Sequence, residues 1–157
     1  MKRIHRGMAL ALSAVLLLLT AAPSAWAAEN TITIETAQDL AELSKNCSLD
    51  SWSQGKTVLL AGDIDLTGTD FRPIPTFGGT FDGQGHTISG LLVTGNGNVQ
   101  GLFRYVQVGG VVQDLSVRGT VSPTDFRDTA GGIVGSNRGQ LLRCTFQGTV
   151  KGESSVG

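Results

Sequence analysis

Histidine is all but missing from this chain: in 157 residues only His5 and His86 carry an imidazole. A zinc-peptidase motif needs two histidines one helical turn apart, so none can be built here. Cysteine is equally scarce, and neither Cys47 nor Cys144 stands near the leader, which removes a lipoprotein anchor. Clusters of one charge sign are absent too. Basic residues are scattered singly, leaving neither a nucleic-acid stripe nor a polybasic membrane patch. The apolar run Met8–Ala22 has 15 residues, short of the ~20 that span a bilayer.

That run belongs to a leader. Lys2, Arg3 and Arg6 precede it, Pro23 breaks it, and Ala25-Trp26-Ala27 puts small residues at the two positions a signal peptidase reads. Residues 1–27 are therefore expected to be a secretory signal peptide cleaved after Ala27, with the protein secreted or held at the cell surface. An uncleaved anchor is the lesser alternative. The leader removes three bases and no acids, so 9 basic residues then face 13 acidic ones, a net charge of −4. Two cysteines in an exported chain invite a disulfide. Stacked at ~4.8 Å per layer, however, their positions fall several layers apart, beyond the ~7 Å a bridge allows. Two buried thiols are expected instead.

What the chain does have is glycine. Phe77–Leu91, FGGTFDGQGHTISGL, carries five glycines among Phe77, Phe81, Ile88 and Leu91. A helix does not tolerate that load, whereas a strand that turns corner after corner requires it. A pattern then recurs: Ile88-x-x-Leu91-x-Val93-x-Gly95, Val112-x-x-Leu115-x-Val117-x-Gly119 and Leu141-x-x-Cys144-x-Phe146-x-Gly148, at offsets of 24 and 29 residues. Such periods mark solenoids or propellers. Gly101-Leu102-Phe103 matches Gly132-Ile133-Val134, and Ser155-Val156-Gly157 restates Thr129-Ala130-Gly131, with Ser122–Thr129 as a variable loop.

Ahead of the repeats, Thr31–Ile34 alternates as a short strand, and Thr36 with Asp39 forms a helix N-cap. Ala37, Leu40, Leu43 and Cys47 follow at helical spacing, so a helix ends near Asn46, and residues 28–55 are expected to cover the first coil. Lys56–Gly68 begins the coils, which occupy 56–157. Pro73 and Pro75 bracket Ile74 in an extended connector that cannot continue a ladder through its imide nitrogens. The chain stops in mid-motif at Gly157, so further coils or domains are expected C-terminal to it.

These motifs (LAGDIDLTG, FGGTFDGQGHTISGL, GLF and GGIVGSNRG-x-L-x-x-C-x-x-x-G-x-V) resemble bacterial secreted proteins with GLUG-motif repeats. Gly132-Ile133-Val134-Gly135 matches the motif; Gly101-Leu102-Phe103-Arg104 departs at its last glycine. The resemblance implies an all-β, right-handed parallel β-helix similar to the pectate-lyase-like solenoids, found in surface proteins and sometimes beside catalytic modules. It brings no settled activity and no catalytic residue.

The residues capable of chemistry are few. Asp63 and Asp65 share one strand face at about 7 Å, within reach of a carboxylate pair or a shared Ca²⁺. No groove, basic or aromatic subsite, or third ligand accompanies them, and outward turn-forming aspartates are the simpler reading. Asp82 and His86 could form an acid/base pair, but Asp82-Gly83 and Gln84-Gly85 are equally good turn dipeptides. The glycine-rich run lacks the Gly-Lys-Ser/Thr ending of a phosphate loop and does not iterate as a Ca²⁺ nonapeptide. Trp52 is expected to pack the cap rather than bind sugar. No catalytic, cofactor-binding or metal residue is therefore assigned. The expected function is an exported, non-catalytic scaffold or adhesion module facing an unidentified surface ligand, a glycan or a host or cell-wall component. It contacts no nucleic acid, and no membrane once the leader is cleaved. The alternative is the N-terminal part of a carbohydrate-active β-helix, a polysaccharide lyase or hydrolase.

Overall fold

A computed structural model describes residues 30–124, 129–152 and 155–157. The leader with its cleavage position after Ala27 lies outside them, as do residues 125–128 of the variable loop. The chain opens with β1 (Thr31–Ile34) and α1 (Ala37–Asn46), then runs a first coil of β2 (Thr57–Leu60), β3 (Ile64–Asp65) and β4 (Ile74–Phe77). The second coil is β5 (Thr80–Asp82), β6 (Thr87–Val93), β7 (Val99–Gln100) and β8 (Phe103–Val106). The third is β9 (Val111–Gln113), β10 (Ser116–Val121), β11 (Thr129–Ala130) and β12 (Val134–Asn137). The fourth adds β13 (Gln140–Leu142), β14 (Thr145–Val150) and β15 (Ser155–Val156).

Each strand pairs in parallel with its counterpart one coil away, which gives four faces: β1-β2-β5-β9-β13, β3-β6-β10-β14, β7-β11-β15 and β4-β8-β12. Parallel neighbours cannot be joined by a tight hairpin, so the chain makes a full circuit before returning. The result is an all-β parallel solenoid of about four turns with one short helix, the fold class read from the sequence.

Inward residues stack in rows. Val58, Phe81, Val112 and Leu141 run down the first face, and Ile64, Ile88, Val117 and Phe146 down the second. Phe77, Phe81 and Phe103 meet at the centre with ring centroids 5.2–6.1 Å apart, all fully buried. Each such side chain contributes about 1.5–3 kcal/mol of apolar burial. Glycines inside β10 and β14 let the coils approach: a Cβ on Gly148 would lie 1.8 Å from Gly119 O, and one on Gly119 would lie 2.1 Å from Leu91 O.

The helix begins as the sequence dictates. The Thr36 hydroxyl accepts from Asp39 N while the Asp39 carboxylate accepts from Thr36 N, a reciprocal capping box. Leu40, Leu43 and Cys47 are buried against the first coil. Ser44 Oγ donates to Arg72 O at 2.8 Å, tying the helix to the residues ahead of β4.

Three expectations change. Ile88 does not correspond to Val112. It pairs with Val117, and the counterpart of Val112 is Phe81. The corner between β5 and β6 is longer than the one between β9 and β10, and β6 carries a bulge where the register shifts between Val117 and Gly119. The second and third copies of the pattern do align as written. Secondly, Ile74 and Pro75 stand in a strand rather than a connector. β4 is the edge of its sheet, and an edge strand tolerates an imide nitrogen. Thirdly, of the two free thiols Cys47 is buried but Cys144, on the last coil, is only half-buried. β1 also pairs with β2 through Thr31↔Thr57, so this strand is part of the first face itself.

Candidate functional site

The carboxylates singled out in the sequence are engaged in holding corners. Asp65 Oδ1 accepts from Thr67 N at 2.9 Å, and hydrogen bonds from the Thr67 hydroxyl and amide hold its pKa below the ordinary carboxylate value. Asp82 Oδ1 accepts from Gln84 N, while Oδ2 accepts from Gln113 Nε2 on the next coil. Asp82 and His86 are not each other's partners. His86 Nδ1 instead lies 3.4 Å from Asp63 Oδ1, and the same oxygen accepts from Thr87 N at 2.8 Å. Asp114 is forked by Arg143, one coil later at the same corner, and this hydrogen bonding lowers the Asp114 pKa. Among the described residues no three His, Cys, Asp or Glu side chains stand together as a metal cluster. Trp52 packs against the core with Lys56 Nζ 5.2 Å from its ring centroid.

A surface depression lies elsewhere, where one coil lacks a strand. The third face starts only with β7; in the first coil, residues 66–73 pass directly from the second face to the fourth. The gap leaves a trough of about 750 Å³ between α1, the segment ahead of β4 and the loop after β6. A second depression of about 520 Å³ continues it across the fourth face, sharing Ser48, Pro75 and Arg104.

Lys45, Arg72, Arg104 and Arg138 line this continuous trough, accompanied by Asp70 and Asp50. Arg72, Arg104 and Arg138 sit on successive coils, each three register positions further along the face. Arg104 Nε donates to Val99 O at 2.9 Å on the open edge of β7, and its guanidinium carbon lies 6.0 Å from the centroid of the exposed Tyr105 ring. Among the described residues no carboxylate pairs with any of the four cations. Gln100 occupies an inward position in register with Ala130 and Val156, and is 5% exposed. Its Nε2 donates to Gly95 O at 3.3 Å, while its Oε1 accepts nothing among the described residues.

The sequence offered two signs of this site. One is a glutamine where the inward row otherwise carries Ala and Val. The other is four bases that fall on one side only once the coil lengths are known. Asp63, Asp65, Asp82 and His86 all lie outside the trough. No helix among the described residues is long and apolar enough to cross a membrane.

No protein-family model matches the chain. No solved structure matches it. It is similar to halomucin of Haloquadratum walsbyi, with 32% identity over 124 residues that cover 68% of this chain. The chain spans about 1% of the length of that protein.

Proposed function

We infer that the chain is an exported, non-catalytic scaffold or adhesion module, displaying its coil faces at a cell surface. The observation that carries this is the use made of its carboxylates: Asp65 and Asp82 cap backbone amides, and Asp114 is locked to Arg143. They stiffen the corners of a stack whose regular exterior is suited to display. Similarity to a protein named as a mucin supports the surface setting. The leader-like N-terminus and the GLUG-type Gly132–Gly135 motif point the same way. Its ligand is a glycan or another surface component.

One observation favours the enzymatic alternative. Asp63 and His86 form an exposed acid–imidazole contact across two coils, the kind of pair general acid–base chemistry uses. The purified secreted protein is expected to release no unsaturated or free uronic acid from acidic polysaccharides. Turnover that disappears in Asp63→Ala, Asp65→Ala or His86→Ala would replace the scaffold reading with a carbohydrate-active one.

A further inference from the structure

We propose that the trough left by the missing third-face strand binds an acidic polysaccharide, a sugar chain bearing ring carboxylates. This rests on the surface-module reading and names the ligand class it serves.

Charge comes first. In the whole chain acids outnumber bases 13 to 12, yet the trough gathers four cations against Asp50 and Asp70. Carrying no carboxylate partner among the described residues, these cations are available to an anion. Among the described residues Arg104 spends only Nε on a hydrogen bond, which leaves both terminal amino groups open to a carboxylate. The diagonal of Arg72, Arg104 and Arg138 meets successive charges of an extended chain better than one compact anion.

The floor then selects among polyanions. Gln100 is a polar side chain almost completely withdrawn from water, and its Oε1 lacks a donor among the described residues. Leaving such an acceptor unpaired is costly, and a ligand that supplies an O–H relieves the cost. Sugars are dense in hydroxyls; the phosphate backbone of DNA is not. Asp50 and Asp70 can accept further hydroxyls, which a sugar chain supplies and a phosphate chain does not. Phe71, Pro73, Pro75 and the Tyr105 ring offer apolar surfaces to the C–H faces of sugar rings.

The test uses the full secreted protein and polygalacturonate as probe, with its fully methyl-esterified form, polyphosphate and single-stranded DNA as comparisons. Titration is expected to show salt-sensitive binding of polygalacturonate and little of the other three. Arg138→Gln, at an exposed side chain with no side-chain partner among the described residues, and Arg104→Gln should each weaken binding about tenfold. Gln100→Leu should weaken it without altering the salt dependence. Arg118→Gln, exposed on the second face, should leave it unchanged. Far-UV circular dichroism of every variant separates lost binding from lost fold, and Arg138→Gln decides the matter if Arg104→Gln unfolds. Equal binding of polyphosphate or DNA, equal binding of the esterified chain, or indifference to Arg138→Gln would overturn the proposal. A protein that coats cells yet ignores polygalacturonate would overturn it too, while leaving the surface-module reading in place.

Discussion

Replacing Phe81 by alanine is the sharpest probe of what holds the solenoid together. Phe81 is fully buried on the first face, 6.1 Å from the Phe77 centroid and 5.2 Å from that of Phe103. Truncating a core phenylalanine costs about 3–5 kcal/mol. Each ring contact adds roughly 0.5–1.5 kcal/mol. The site also collapses poorly, because Val58 and Val112 above and below are pinned by the parallel ladder. A loss near the upper limit, about 5 kcal/mol, follows. That is a large share of the ~5–15 kcal/mol stabilising an ordinary domain. With a urea slope of ~1–3 kcal/mol/M, the midpoint should fall by roughly 2–5 M. Phe146→Ala provides the internal control: it is half-buried on the last coil and should cost only about 1–2 kcal/mol. Urea unfolding followed by far-UV circular dichroism, with the slopes compared, measures both. A Phe81→Ala loss under about 2 kcal/mol, or a larger loss for Phe146→Ala, would refute the claim that the aromatic trio is the centre of the fold.

Gly119→Ala should be poorly tolerated, since the new methyl would sit 2.1 Å from Leu91 O, whereas Gly62→Ala meets nothing within 4 Å and should leave the urea midpoint within error. Acid should destabilise the protein through Asp39 and Asp114, whose folded pKa values are lowered, chiefly by hydrogen bonds from Thr36 and Arg143 respectively. Their contribution is complete above the ordinary carboxylate pKa of ~4 and is lost as pH falls through the lower folded values. Asp39→Asn and Asp114→Asn should each flatten the dependence of the urea midpoint on pH below 4, and an unchanged slope would contradict this. Burial pushes the Cys47 thiol up to about 11, so a disulfide-exchange reagent at pH 8 should leave it unmodified until urea is added. Cys144, half-buried, should react first in the native protein, and equal rates for the two thiols would show that the helix does not seal the coil beneath it.

Local signals in the sequence carried over well. Thr36 and Asp39 announce a capping box because its bonds span only three residues, and Gly101-Leu102-Phe103 finds its partner Gly132-Ile133-Val134 because both stand at the same corner. Register was harder. Fixed spacing puts Ile88 in the wrong row, because the β5–β6 corner has a different length from the β9–β10 corner. The trough was hidden for the same reason: Lys45, Arg72, Arg104 and Arg138 follow no constant interval, and only the coil lengths bring them to one side. Gln100 was visible as a residue and invisible as a signal until its row-mates Ala130 and Val156 were known.

The unequal coils bear on how such a chain can change over generations. From Thr57 to Thr80, Val111 and Gln140 the circuits take 23, 31 and 29 residues, yet the rows of inward side chains stay aligned. Apart from the one extra residue taken up by the bulge in β6, the differences are absorbed at corners, where doubling a loop costs only about 0.6 kcal/mol. Insertions and deletions there are nearly silent to selection for folding, whereas a single-residue slip within a strand would turn its buried side chains outward. A lineage built this way can lengthen, shorten or omit a segment of one coil and so try out new surface shapes, of which a trough beneath the helix, where one coil has no third-face strand, is an example.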